Sequence, residues 1–400
     1  MVIADEILQR IKKVIAVKEQ LVALHEPSFS GNEWNYVKEC LDTGWVSSVG
    51  SYVDQFEKGL ADFTGARYAI AVVNGTAALH MAYVLSGVTA GDEVLVPTVT
   101  FVGTINPIIY CNAIPHFLDT EQETLGLDVN VLDDYLQDII QYKNNVSINR
   151  LTGRPIRALC VMHTLGHPVD LDALAEICLK YHLVLIEDAA EALGSYYKGT
   201  HVGNRGLLGT LSFNGNKIIT TGGGGAILTN DKMIAKRAKH ITTTAKLPHA
   251  FSFQHDEVGY NYRLPNINAA LGCAQLEKIS QFLQAKRQLA EQYQRIFADF
   301  PSAKMMKEPP HSKSNYWLNA LVLENSYRDE KNAIIELLIK NNMMVRPLWN
   351  LQHTLPMYFH CPKMPLPIAE NMQKRLIKFP SSAKLSISHG VVYGKDIHYR

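Results

Sequence analysis

From about Gly65 to Asp231 the chain alternates short β-rich runs with helical stretches, and this alternation constrains the fold more than any other feature. Strands are expected over 68–73, 93–97, 114–119, 157–163 and 183–187, with helices over 76–86, 102–110, 129–142 and 171–181 between them. Strands bounded by turns and separated by helices are the mark of βα units and a mostly parallel sheet. The runs AIAVV, ALCVM and LVLIE are continuously apolar instead of alternating, as strands covered on both faces must be. The tail differs. A helical stretch over 267–300 leads to Pro301, Pro309 and Pro310, and then to a strand over 315–323, a helix over 331–340 and a strand over 343–348. The expected organisation is an N-terminal arm over 1–25, a large α/β domain over 26–255 and a smaller α+β domain over 256–400.

With 400 residues, 47% hydrophobic and 19% charged, the chain has the apolar material for a large core, which excludes disorder. Lys+Arg number 39 against 38 Asp+Glu, so the basic surplus of a nucleic-acid binder is missing. No uncharged apolar run approaches the ~20 residues of a membrane helix. Val2, Ile3, Ile7, Leu8, Ile11, Val14 and Ile15 fall near helical spacing, and Asp5, Glu6, Lys12 and Lys13 interrupt them, so residues 1–20 read as an amphipathic helix packed on the body and not as a signal peptide. Cys40, Cys111, Cys160, Cys178, Cys273 and Cys361 are scattered without a CxxC pair, which argues for reduced thiols in a cytoplasmic protein and against a disulfide framework or a zinc site. No metal is expected. The sequon at Asn145-Val-Ser147 has no secretory context.

Three motifs carry possible chemistry. In Leu211-Ser-Phe-Asn-Gly-Asn-Lys217-Ile-Ile-Thr-Thr-Gly-Gly-Gly-Gly225 an apolar strand ends, a lysine follows in a polar loop, and glycines come next. Such a lysine is either a solvated loop residue or a nucleophile that forms a Schiff base. A P-loop is excluded because Asn216 precedes the lysine and Ile218 follows it. In Leu183-Val-Leu-Ile-Glu187-Asp188-Ala-Ala-Glu191 a buried strand ends in acids. Ligands of open α/β sheets bind beyond the carboxyl ends of the strands, so Asp188 either meets a cationic group, such as a protonated pyridine nitrogen, or caps the next helix. In Val73-Asn74-Gly75-Thr76-Ala77-Ala78-Leu79 a strand turns into a helix start, which either binds a phosphate or carries a plain cap. A phosphate cradle, a pyridinium partner and a Schiff-base lysine, in that chain order and each at the end of an expected strand, point together to pyridoxal phosphate.

With these residues in view, the chain resembles the sugar-nucleotide aminotransferases of the DegT/DnrJ/EryC1/StrS family, from His25 nearly to the C-terminus. Within the family it is most similar to the branch from legionaminic acid and related nonulosonate pathways, on His25-Glu-Pro-Ser-Phe-Ser-Gly-Asn-Glu33, Gly44-Trp-Val-Ser-Ser-Val-Gly50 and Ser212-Phe-Asn-Gly-Asn-Lys217. The resemblance implies the pyridoxal-phosphate transferase fold type I, aspartate aminotransferase-like, with a mostly parallel seven-stranded sheet in the large domain. It implies that Lys217 holds the cofactor, that Asp188 pairs with the ring nitrogen and that Phe101 stacks on the ring. Gly75, Thr76, Ala77 and Ser212 would bind the phosphate, and Asn261 would reach it from the partner subunit of a homodimer with shared active sites. Glu191 would stand near the ring hydroxyl, where many relatives have Gln or His. The implied reaction takes the amino group of glutamate, passes through pyridoxamine phosphate, and delivers the group to C4 of a 4-keto-6-deoxy sugar nucleotide. Lys217 would move the proton in each half.

Two rivals stay in view. Family dehydratases carry His in place of the lysine, and a non-catalytic binding subunit would be expected to lose Lys217 or Asp188. The choice between UDP and GDP, the C2 substituent of the sugar and the stereochemistry at C4 stay open. Beside these, His163 and His167 are candidates to line the site, Arg346 and Trp349 sit in a segment that looks substrate-facing, and Tyr316-Trp317 reads as small-domain core.

Overall fold

The computed structural model describes residues 2–15 and 20–387. Its centre is a seven-stranded sheet built from β1 (Tyr68–Val72), β2 (Glu93–Pro97), β3 (Ile114–Leu118), β4 (Ile156–Met162), β5 (Val184–Asp188), β6 (Leu208–Ser212) and β7 (Gly225–Thr229). The order is β1-β7-β6-β5-β4-β2-β3. β7 is antiparallel to both neighbours, and every other pair is parallel. Successive strand residues enter opposite cores: Ile70, Val94, Cys160 and Ile186 join one, and Ala71, Leu95, Leu159 and Leu185 join the other. Both faces are therefore dry, and this is why the strands are apolar throughout.

β7 is a strand that the local pattern of residues 225–229 does not announce. The chain between β6 and β7 has no helix to carry it back across the sheet, so the return strand lies antiparallel beside β6. The helix expected over 129–142 ends at Ile139, and a hairpin of Ile140–Lys143 and Val146–Asn149 follows. Its turn is Asn144-Asn145, at φ 52° and 61°. Asparagine tolerates this left-handed region, so the Asn-Asn pair was the available turn signal.

The single helix expected over 267–300 is two helices, Asn266–Glu277 and Ile279–Ile296, joined at Lys278. The first, expected in the smaller domain, packs instead on the helices Glu33–Thr43 and Ser51–Thr64 beside the large sheet. The second lies against the smaller layer. That layer is an antiparallel sheet of β8 (Ala303–Met305), β9 (Asn319–Leu323), β10 (Arg346–Pro347) and β11 (Leu376–Phe379), in the order β8-β9-β11-β10. The strand expected over 343–348 shrinks to β10, an edge position that tolerates Pro347, which has no N–H to donate. The strand expected over 315–323 begins only at Asn319, because 315–318 turns away with Tyr316 at φ 47°.

The N-terminal helix is Val2–Lys12. Ile3, Ile7, Leu8 and Ile11 bury against Leu289, Tyr293, Phe297 and Leu338 of the smaller layer. The helical reading of 16–19 lies outside the described residues. No helix of the described residues is long and apolar enough to cross a membrane.

Candidate active site

The parallel strands carry their carboxyl ends to one edge, and β7, running the other way, starts at that edge. The segments leaving β1, β2, β4, β5 and β6 and entering β7 converge there on a cavity of about 230 Å³. Gly75, Thr76, Phe101, Asp188, Glu191, Ser212 and Lys217 all line it.

Asp188 is the last residue of β5 and is buried. Its Oδ2 accepts a hydrogen bond from Thr104 Oγ1 at 2.8 Å, and its Oδ1 accepts one from the Ala190 N–H at 3.0 Å. Burial raises its pKa above the ordinary carboxylate value, and these hydrogen bonds and the Lys217 charge offset only part of the effect. Among the described residues no cation lies within ion-pair distance of it, so this buried carboxylate is ready for a positively charged ligand atom. The neighbouring Glu187 is a different object. Its two oxygens accept from His163 Nε2 at 3.0 Å and from the N–H groups of Gly203, Arg205 and Gly206 at 2.7–2.8 Å. Burial alone would push its pKa up, but His163 and these donors outweigh it and hold the carboxyl below its usual value. Glu187 thus pins the 203–206 loop to β5.

Lys217 lies in the loop between β6 and β7. Its Nζ stands 3.5 Å from Glu191 Oε1 and 4.2 Å from the centre of the Trp317 ring. The loop is fastened from outside: Trp317 Nε1 donates to the Asn216 carbonyl at 2.7 Å, and Asn268 Nδ2 to the Thr221 carbonyl at 2.7 Å. Glu191 is fully buried, and its Oε2 accepts from the Leu165 N–H at 2.9 Å. Leu165 sits at φ 57°, a strained position for a bulky residue. Burial raises the Glu191 pKa, and Lys217 counters it.

Two glycines make room at the edge. A Cβ on Gly75 would come within 2.9 Å of the Ser212 Cβ, and one on Gly225 within 2.5 Å of the Asn74 carbonyl carbon. The helix Gly75–Leu85 begins between them, and the N–H groups of Gly75 and Thr76 in its first turn have no intrahelical acceptor. Ala77 departs from the expectation: it does not line the cavity, and its N–H is taken by Asn74 Oδ1 at 2.7 Å. Asn74, not Thr76, is the cap, and this leaves Gly75, Thr76 and Ser212 for an anion. Phe101 precedes the helix Val102–Tyr110 and lies half-exposed on the cavity wall, with its ring beside Gly103. Asn261 is exposed and does not line the cavity of its own chain.

His163 and His167 are buried behind the site and do not line it. His163 serves Glu187, and burial lowers the His167 pKa to about 4. Trp349 does line the cavity, and so does Trp317, in contrast to the small-domain core position expected for it. Asn74, Thr104, Asn216 and Trp317 were missed. Asn74 and Thr104 stand beside recognised residues, whereas Trp317 is separated from Lys217 by a hundred positions and nothing local signals it.

The cavity joins a buried acid able to face a ring nitrogen, a lysine amine, an aromatic wall and a glycine-lined helix start. These groups fit pyridoxal phosphate, and with the sheet they define an enzyme of fold type I that uses that cofactor. Comparison with known proteins is more specific. Residues 27–391 match the DegT/DnrJ/EryC1/StrS aminotransferase family, and the chain belongs to that family. It is 38% identical to the GDP-perosamine synthase of Escherichia coli O157:H7, over 93% of this chain and 96% of that one. It is 36% identical to the GDP-perosamine synthase of Vibrio cholerae, over 90% and 94% respectively. Among solved structures it is similar to Helicobacter pylori PseC, an aminotransferase involved in the biosynthesis of pseudoaminic acid, with a TM-score of 0.83, 25% identity, and 92% of this chain and 98% of that one covered. The protein is a pyridoxal-phosphate-dependent aminotransferase.

Proposed function

We propose that the protein transfers the amino group of glutamate to C4 of a 4-keto-6-deoxy sugar nucleotide, giving 2-oxoglutarate and a 4-amino-4,6-dideoxy sugar nucleotide. The observation that carries this reading is the placement of Lys217 and Asp188 on one cavity small enough to hold a single ring. Relatives named for a GDP-linked sugar support a sugar-nucleotide acceptor. The similarity of residues 25–33, 44–50 and 212–217 to the legionaminic acid branch favours an N-acetylated hexose on UDP or GDP, in that or a related surface-polysaccharide pathway.

In this reading Asp188 holds a proton on the ring nitrogen, and the bound cofactor supplies an electron sink for the carbon that loses its proton. Lys217 holds the cofactor and, once released, moves that proton with Nζ. Glu191 keeps Nζ on the cavity side, and Trp317 backs it from the smaller layer. Gly75, Thr76 and Ser212 hold the phosphate, and Phe101 covers the ring.

The protein works as a cytoplasmic homodimer. Asn261 faces outward and reaches a cofactor phosphate only in a second copy. The half-exposed Phe101 and the exposed Trp34, Trp45, Phe251 and Phe253 are apolar surface that a second copy would cover. The test is Lys217→Ala. It is expected to lose the visible absorbance of the bound cofactor and all turnover with glutamate and a panel of UDP- and GDP-linked 4-keto sugars. Transamination retained by that variant would refute the assignment.

A further inference from the structure

A second cavity of about 510 Å³ adjoins the first and shares Asn216, Trp317 and Trp349 with it. Lys378 and Arg346 line this second cavity and not the first. They sit on paired residues of β11 and β10. Lys378 is buried, and its Nζ lies 4.0 Å from the centre of the Trp349 ring. Among the described residues no carboxylate lies within ion-pair distance of Lys378 or Arg346, and the Arg346 guanidinium donates only to its neighbour's carbonyl, Val345 O, at 2.9 Å. The charges that act on Lys378 are Glu191, which favours its ammonium form, and Lys217 and Arg346, which oppose it. Glu191 is already 3.5 Å from Lys217. Glu191 is therefore shared between Lys217 and Lys378, Asp188 also faces the Lys217 charge, and Arg346 adds a further positive charge beside Lys378. His25, which also lines this cavity, adds no charge: both its ring nitrogens are buried without a partner, and burial together with Lys286 and Lys217 keeps the ring neutral.

A buried ammonium without a counter-ion is costly unless a ligand completes it. The complement here is an anion of more than one charge, seated where two cations from adjacent strands can both reach it. Beside it, the indole faces of Trp317 and Trp349 offer flat apolar walls of the kind that cover a sugar ring, and the volume suits a ligand larger than an amino acid.

We propose, building on the aminotransferase reading above, that Lys378 and Arg346 form a subsite for the diphosphate of the sugar nucleotide, with the sugar lying across Trp349 and Trp317 toward Lys217. Lys378 is the determinant residue, because it is buried and, among the described residues, no carboxylate lies within ion-pair distance of its ammonium, which rests on the Trp349 ring.

The experiment is calorimetric titration of the cofactor-loaded protein with UDP, with GDP and with glutarate, the dicarboxylate of the donor without its amino group. The unaltered protein is expected to bind at least one of the two diphosphates. Lys378→Gln should weaken that binding about tenfold or more, and Lys378→Arg, which keeps the charge, should hold it within about threefold. Retained visible absorbance of the bound cofactor in both variants shows that they fold. Three results would each overturn the subsite: no diphosphate binding by the unaltered protein, an unchanged affinity in Lys378→Gln, or a loss that falls on glutarate in place of the diphosphates. Failure of the underlying activity would show separately, as no transamination by the unaltered protein, because the titration reads binding without turnover.

Discussion

Asp188 shows how one residue can be costly to the fold and necessary to the chemistry. Its carboxyl is raised by burial, so the folded state binds its proton more tightly than the unfolded chain does. The sign follows from linkage. Without cofactor, its favourable contribution is present below the unfolded value of about 3.9 and is lost as pH rises through the folded value. A cationic ring nitrogen reverses this, so the difference in melting temperature between cofactor-loaded and cofactor-free protein should widen as pH rises from about 4 toward neutrality, checked by thermal scans of both forms. Asp188→Asn should stabilise the cofactor-free protein by about 1 kcal/mol at neutral pH and remove most of the turnover. The amide fits the site, since its oxygen can accept from the Ala190 N–H while its nitrogen donates to Thr104 Oγ1. Full activity in the Asp188→Asn variant would detach this carboxylate from the chemistry.

At the scale of elements, the strand ends are held by their own fittings. Glu187 collects donors from His163 and from the 203–206 loop, which sets β5 against β6 and so places Asp188. Glu187→Gln keeps the shape but offers one carbonyl oxygen and turns an N–H toward groups that are already donors. We expect a loss of about 2–4 kcal/mol, read as a lower melting temperature and a lower denaturant midpoint. An unchanged midpoint would mean that the loop holds without it. The His163–Glu187 pair also explains why a histidine after the fourth strand resembles a site residue in sequence: it is buried at the right edge of the sheet, facing away from the cavity.

For the whole molecule, Lys217 and Asn261 belong to different copies of one site in the proposed homodimer. Lys217→Ala and Asn261→Asp should each be inactive alone. After mixing and subunit exchange, each mixed dimer has one intact site and one doubly altered site, so about one quarter of the unaltered specific activity should return. Recovery of none, with dimers demonstrably exchanged, would place Asn261 outside the shared site.

The sequence by itself determined the βα order, the two dry faces of the sheet and the three motifs at the strand ends, because periodicity and turn residues act over a few positions and leave a local trace. It missed β7, the Asn144-Asn145 hairpin and the break at Lys278, where the chain's course depends on what lies beside it. Only the tertiary structure decided which helix N–H groups are free, through the Asn74 cap, and which layer owns Asn266–Glu277. It also brought Trp317, Trp349, Arg346 and Lys378 from the smaller layer to the mouth of a cavity built by the larger one. Those meetings span a hundred residues or more, and a side chain's chemistry there is set by the neighbours that packing supplies, of which a linear string holds no record.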